Sequence, residues 1–409
     1  AVAVLVLLGF SWAQKPKQSF PLRKDPQADF SWQAYKKVAS EFPQNVVLAP
    51  YSLRKIFQCL LNVTNPPDDS RLDQELNKVF KLERGTELQG LVDLRYASEQ
   101  ERLVKAKKLQ ATTLAVVIGK TSQSERFDEC ASSCMMYNGL LEPASLKLMT
   151  RVANQAMRNI TGKAEKKFFA DDDITEDWDF FVADSWRFKG LWKFKFEKDH
   201  FTTCNFYTNK TSKGLTEFMY LEENLKFAYI QKFNLKAVEL PFHEESPWSC
   251  MLLMPDVGPL EKMVQGLSHG RMLAIQSSLR QGKTTVRVPR FGFKSQLYAK
   301  TLLERMGLSV PFKEKVYQVF ENQEQVALGD IIQKVKVEFS PQGEKTAQQF
   351  VSRSLGNQFI AHQPFVFVIY DRITLVPVLI GQHITPETPE NAQAEKDDRM
   401  CDNPPRGFN

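Results

Sequence analysis

Residues 335–370 read VKVEFSPQGEKTAQQFVSRSLGNQFIAHQPFVFVIY. The first five alternate, with Val335, Val337 and Phe339 against Lys336 and Glu338, which is the period-two pattern of a half-buried strand. Ser340-Pro341-Gln342-Gly343 breaks it. Twenty residues, Glu344 to Gln363, then run with little periodicity and many polar side chains. At Pro364 the chain turns abruptly apolar. Pro364–Tyr370 and Leu375–Ile380 have the composition of strands buried on both faces. A long polar loop between a strand and two core strands is uncommon in a compact domain, and such loops are usually functional or disordered. Function is therefore expected on this loop, with the rest of the chain as its support.

The 409 residues are 43% hydrophobic, enough for a sizeable core at the upper end of single-domain size. Thirty Phe against nineteen Gly point to an aromatic-rich interior. Lys and Arg total 54 against 48 Asp and Glu, a net charge of +6. That excess is small for the length and argues against a nucleic-acid binder. Ala1–Phe10 is uncharged and almost wholly apolar, and Ser11-Trp12-Ala13 has the small–x–small pattern of signal-peptidase cleavage. With no initiator Met and no basic n-region, residues 1–13 are expected to be part of a signal peptide. A segment 14–29, a main domain 30–386 and an acidic, polar, Pro-containing tail 387–409 follow, the tail expected to be disordered. No run approaches the roughly eighteen apolar residues of a membrane span. A secreted, extracellular monomer with no membrane partner is expected.

Three sequons suit that compartment: Asn62-Val63-Thr64, Asn159-Ile160-Thr161 and Asn209-Lys210-Thr211. The six cysteines, Cys59, Cys130, Cys134, Cys204, Cys250 and Cys401, are too sparse for a disulfide scaffold. Cys130 and Cys134 are close enough to pair locally. Their spacing also resembles half a metal site, but structural zinc needs four ligands, and neither a nearby His nor a second Cys pair is present. The other cysteines read as small buried apolar residues. No metal and no cofactor are expected.

Helical spacing marks Phe30–Phe42, the run from Leu53 to Leu61, Leu72–Phe80 and Leu146–Ile160, and a charged helix-prone stretch runs on to Leu109. Ser52 stands where a helix cap belongs. Strands are expected at Asn45–Ala49, Thr112–Ile118, Phe180–Phe188, Phe218–Ile230, Ala237–Pro241 and Trp248–Met254. Val286–Phe293 alternates cleanly and reads as one strand, followed by a helix over Leu297–Met306. Asp171-Asp172-Asp173 reads as a solvated acidic turn. Helices early and strands late favour an α+β fold.

No catalytic constellation is legible. The five His have no metal-ligand spacing, and no G-x-S-x-G elbow occurs. Gly282-Lys283-Thr284 mimics the end of a phosphate loop, but Ser277 stands where its first glycine belongs, so it reads as a polar turn. Arg102, Lys105, Lys107 and Lys108 cluster in a helical segment. A solvated helix face is the plain explanation, and a sulfated-polysaccharide site is the sharper one.

Ordered marks along the chain then resemble one family. Asn45-Val46-Val47-Leu48-Ala49-Pro50-Tyr51-Ser52-Leu53 is similar to the strand-to-helix opening of the serpins. Asn159-Ile160-Thr161-Gly162-Lys163 resembles their T-x-G-K turn. Val182–Trp192 resembles their N-A-I-Y-F-K-G-x-W segment, with Asp184 where Asn is usual. Glu239-Leu240-Pro241-Phe242, Met254-Pro255 and Val288-Pro289-Arg290-Phe291 match further marks. His362-Gln363-Pro364-Phe365-Val366-Phe367, with Gly381 and Pro386, resembles the C-terminal signature. The resemblance covers roughly residues 30–386. It implies an α+β serpin fold with three β-sheets, eight or nine helices and an exposed reactive loop. In inhibitory members a serine protease cleaves that loop, whose hinge end then inserts as a new strand of the main sheet and drags the acyl-bound protease with it.

An inserting strand buries alternate side chains, so the family hinge uses small uncharged residues. Here the hinge is Gly343, Glu344, Lys345, Thr346, Ala347, Gln348, Gln349 and Phe350. Gly343 matches the hinge glycine, and Glu344, Thr346, Gln348 and Phe350 fall on the inward alternation. Burying the Glu344 carboxylate without a partner costs several kcal/mol, on the order of that for any unpaired charge. Arg353-Ser354 is the natural trypsin-like cleavage point, although it sits about four residues, roughly 13 Å of strand, nearer the hinge than is usual. Counting from the hinge in family register places Asn357-Gln358 at the scissile bond instead. These features favour weak or lost suicide inhibition, with a binding or decoy-substrate role. The alternative is an active inhibitor of a trypsin-like serine protease cut at or near Arg353. An enzyme or small-ligand carrier is the remaining class, with nothing in the sequence to recommend it.

Overall fold

The computed structural model describes residues 25–64, 70–84, 91–105, 108–163, 165–190, 192–209, 211–243, 246–347 and 356–387. The expected leader, the tail from 388 onward, Lys107 and the loop residues Gln348, Gln349, Phe350, Arg353 and Ser354 lie outside them.

The helices are α1 (Pro26–Glu41), α2 (Pro50–Leu60), α3 (Arg71–Phe80), α4 (Leu91–Lys105), α5 (Glu125–Ser133), α6 (Leu146–Ile160), α7 (Leu260–Gln265), α8 (His269–Ser278), α9 (Ala299–Met306) and α10 (Val310–Lys313). The strands of the first half are β1 (Val46–Leu48), β2 (Leu109–Ile118), β3 (Met136–Leu141), β4 (Phe180–Lys189), β5 (Trp192–Phe194), β6 (Thr202–Tyr207) and β7 (Lys213–Ile230). Those of the second are β8 (Leu235–Pro241), β9 (Trp248–Pro255), β10 (Arg280–Pro289), β11 (Phe291–Tyr298), β12 (Tyr317–Gln318), β13 (Gln325–Val326), β14 (Leu328–Phe339), β15 (Gly343–Lys345), β16 (Asn357–Ile360), β17 (Phe365–Asp371) and β18 (Pro377–His383). Among the described residues no helix is long and apolar enough to cross a membrane.

A five-stranded sheet runs β11-β14-β4-β2-β3. A larger sheet runs β1-β18-β17-β9-β8-β7-β10-β16, with β6 also on β7. Its 18-residue β7 is the joint: Thr202–Tyr207 pairs with its first residues, β10 with residues 218–227, and β8 with residues 226–230. Two of the three expected sheets are thus one continuous surface through β7.

Alternation explains the layering. Val335, Val337 and Phe339 of β14 join Trp186 and Phe188 of β4 in a core shared with β9 and β17. On the other face, Phe181, Ala183 and Ile332 pack under Met149, Ala153 and Met157 of α6. The first helix illustrates local control: Pro26 opens it, and the Asp25 side chain accepts from the Gln27 and Ala28 amides at 2.8 and 3.2 Å.

Several expectations change. Ser52 is not a cap: α2 starts after Ala49, and the Ser52 hydroxyl donates inward to the Ala49 carbonyl at 3.0 Å. Val286–Phe293 is two strands, because β10 ends at Pro289 in the large sheet and β11 begins at Phe291 in the small one. The parity of burial shifts at the junction, from even-numbered residues in β10 (Thr284, Val286, Val288) to odd-numbered ones in β11 (Phe291, Ser295). Asp173 is buried, accepting from the Ala170 amide at 2.8 Å and the Tyr298 hydroxyl at 2.5 Å. Cys130 and Cys134 do not pair: Cys134 is bonded to Cys59, 75 residues away, and Cys130 is a buried free thiol. Cys204 is also disulfide-bonded, leaving Cys250 as the other buried thiol among the described residues. Helix α5 and strand β3 have no counterpart in the sequence reading.

Candidate functional site

β14 and β4 are direct parallel neighbours, in continuous register from Ile331 opposite Val182 to Glu338 opposite Lys189. The sheet is closed at this seam, and no loop strand separates the two. Gln333 and Asp184 face each other across it. The Asp184 carboxyl is fully buried. Gln333 Nε2 donates to it at 2.8 Å, and the Thr113 hydroxyl and Trp186 Nε1 at 3.1 Å each; the Ser52 hydroxyl is its fourth partner. The Gln333 amide is oriented by the Ala49 N–H, which donates to its oxygen at 2.9 Å. Burial pushes the Asp184 carboxyl above its ordinary value, and the four hydrogen bonds pull it partly back. A buried acid thus sits in the seam between β4 and β14.

Above the seam the proximal loop is pinned to β5. Trp192 Nε1 donates to the Ser340 carbonyl at 2.8 Å, the Phe196 amide to Pro341 O at 3.1 Å, and the Lys195 amide to Lys345 O at 2.8 Å. β15 pairs with β5 in parallel, Gly343 opposite Trp192 and Lys345 opposite Phe194. A Cβ on Gly343 would stand 2.4 Å from the Phe194 carbonyl carbon, so the close approach needs glycine. Glu344, Lys345 and Thr346 are exposed, whereas Ala347 is buried. The distal end is pinned to β10. Asn357 pairs with Thr284 and Gln358 with Thr285 in parallel register, both loop residues exposed. Phe359 is fully buried, and the His362 carbonyl accepts from the Tyr207 amide at 2.8 Å. Residues 348–355, outside the described set, connect two firmly held ends.

Of the basic cluster, the described members Arg102, Lys105 and Lys108 each have a partner. Arg102 holds the buried Glu99 through two hydrogen bonds of 2.9 Å, and Glu99 also accepts from the Ser246 hydroxyl at 2.6 Å. His243 joins this group, its pKa lowered to about 4 by burial and by Arg102. Lys105 pairs with Glu101 at 2.7 Å, and Lys108 donates to the Gln342 side chain at 3.0 Å. The sequon residues Asn62, Asn159 and Asn209 are all exposed. Among the described residues no three His, Cys, Asp or Glu side chains are grouped to hold a metal.

The sequence reading noted Asp184 as a departure but missed its partners. Ser52 was taken for a cap, and Gln333 lies in β14 between two other buried polar residues, Asp330 and Lys334, so nothing local singled it out. The role of β5 was also missed, since three residues give no periodicity.

A family model described as Serpin (serine protease inhibitor) matches residues 25–386. The chain is 44% identical over 409 residues to a FXa-directed anticoagulant of Aedes albopictus, covering 99% of this chain and 98% of that one. It is 45% identical over 390 residues to a FXa-directed anticoagulant of Aedes aegypti, covering 95% and 94%. A solved tumour suppressing serpin is similar in fold, with a TM-score of 0.75 at 19% identity, covering 88% of this chain and 98% of that one.

Proposed function

The chain belongs to the serpin family, and from that premise we propose that it is a secreted inhibitor of a trypsin-like serine protease of the factor Xa type, presenting Arg353-Ser354 as the bait bond. The observation that carries this reading is the end-to-end likeness to two FXa-directed anticoagulants. The closed β4–β14 seam and the anchored loop ends are consistent with a loop held ready for cleavage. In the proposed course the protease serine attacks the Arg353 carbonyl, the Arg353–Ser354 bond breaks, and the freed hinge enters the seam while the acyl bond persists. Asn357-Gln358 is the less suitable bond, because both residues are paired along β10.

A second reading is favoured by one observation, the acidic Glu344 at the hinge. If its burial blocks insertion, the protein binds or diverts the protease without trapping it. Incubation with factor Xa distinguishes the two. The expected result is an SDS-resistant complex that disappears in Arg353→Ala. Loss of protease activity without a covalent complex would leave reversible binding. Cleavage with neither would leave a substrate role and overturn inhibition.

A further inference from the structure

Three of the cysteines meet at one point between α2 and α5. Cys59 and Cys134 are bonded to each other, and Cys130 keeps its thiol. Cys130 and Cys134 are four residues apart at the end of α5, so both stand on the side of the helix that faces Cys59. The Cys130 Sγ lies 3.3 Å from the Cys59 Sγ, and its S–H donates to the Cys59 carbonyl at 2.9 Å. That sulfur–sulfur separation falls within the roughly 3–3.5 Å at which reacting atoms stand before attack. Cys59 thus has one sulfur bonded to it and a second in contact.

The two neighbours of Cys59 differ in their surroundings. Cys130 is buried. Burial pushes its thiol up to about 12, with Arg126 pulling partly the other way. A thiol so placed is inert toward reagents in solution. Cys134 is half-buried between the exposed Ser133 and Met135. With Cys59, Lys55 and Met135 it lines a cavity of about 30 Å³, which has room for water. It also closes the helix, and Met135 after it has a φ of 54°, a left-handed conformation that is unfavourable for any residue with a side chain. Cys134 therefore has space, solvent and a backbone that gains by moving, whereas Cys130 has a closed environment.

We propose that Cys134 is a latent thiolation site, opened by Cys130 and filled from a low-molecular-weight disulfide. In the first step the Cys130 thiolate attacks the Cys59 sulfur. A Cys59–Cys130 bond forms, the Cys59–Cys134 bond breaks, and Cys134 leaves with the electron pair. In the second step the Cys134 thiolate attacks a small disulfide such as oxidised glutathione, takes one half and releases the other as a thiolate. The proton given up by Cys130 ends on that released thiolate, and no other oxidant or reductant is consumed. Scarcity of the Cys130 thiolate keeps the first step slow, in the minutes-to-hours range of uncatalysed disulfide rearrangement. Lys55, lining the same cavity, supplies a positive charge for the departing thiolate. The second step traps the rearranged form and draws the first one forward.

The test incubates the intact chain with oxidised glutathione under native conditions and follows its mass and its disulfide-linked peptides. The parent is expected to gain one glutathionyl group on Cys134 while the Cys59–Cys134 link gives way to Cys59–Cys130. Cys130→Ser is expected to slow this gain by about tenfold or more, because the intramolecular attack is lost. Cys130→Ala repeats the comparison without a hydroxyl, and Cys250→Ser, which alters the other buried thiol, is expected to match the parent. Equal melting temperatures guard against misfolding, and the peptide map of the parent decides the question without any variant. Four results overturn the proposal: no gain by the parent, a glutathionyl group on Cys130 or Cys250 with the Cys59–Cys134 link intact, a Cys130–Cys134 link with the group on Cys59, or an equal rate in Cys130→Ser. No protease takes part, so failure here leaves the inhibitor reading untouched.

Discussion

His383 lies fully buried among Phe206, Phe291 and Phe365, its ring stacked on Phe291 at a centroid distance of 4.6 Å. Neither ring nitrogen has a hydrogen-bond partner among the described residues. Burial lowers its pKa from 6.5 to about 3. The folded state thus keeps the ring neutral while the unfolded chain takes up a proton below pH 6.5. Its contribution to stability is whole above that value and is lost as pH falls toward 3, with a ceiling of roughly 4–5 kcal/mol from the linkage relation. His383→Phe has a similar shape and removes the titration. Denaturant unfolding at pH 7 and pH 4 should show the variant ahead of the parent mainly at pH 4. Equal differences at both values would mean that the ring finds a partner when charged.

At the scale of elements, the seam between β4 and β14 brings together what the sequence kept apart. Asp184 stood out in an apolar strand, but Ser52, Thr113 and Gln333 lie 132, 71 and 149 residues away from it. Local pattern reports burial, not which buried polar groups meet. The same limit turned β10 and β11 into one strand and hid the Cys59–Cys134 link. By contrast α6 was legible because one apolar face packs on the sheet, and β4, β8 and β9 because short apolar runs buried on both faces stand out from their surroundings. Asp184 carries a prediction at this scale. Its folded pKa is raised by burial, so its contribution is present below the ordinary value of 3.8 and declines as pH rises through the folded one. Asp184→Asn abolishes this slope, although it sets an amide against the Gln333 amide and so adds a constant penalty. Measured from pH 3 upward, the variant should gain on the parent as pH rises above 3.8. Parallel stability curves would show that the carboxyl does not titrate in that window.

For the whole molecule, the proposed mechanism asks the same residues to serve two topologies. In the described form β4 and β14 pair with each other, and Glu344 is exposed. After cleavage at Arg353 the freed segment from Glu344 could lie between them, gaining ladder bonds on both sides while Asp184 and Gln333 part. About ten residues with newly formed hydrogen bonds at roughly 1 kcal/mol each outweigh several kcal/mol for burying one carboxylate. The fold and family were readable from the sequence, but this balance was not, because it depends on two states of which the sequence pattern marks only the apolar faces. Limited trypsin nicking therefore gives the decisive comparison. The parent should rise in melting temperature by on the order of 10 °C on nicking. Glu344→Thr should melt like the parent before nicking, since the side chain is exposed there, and should rise further after it. No rise in either protein, with the cut confirmed by mass, would mean that the seam rejects the loop and that inhibition proceeds without insertion. A rise only in Glu344→Thr would assign the block to that one carboxylate.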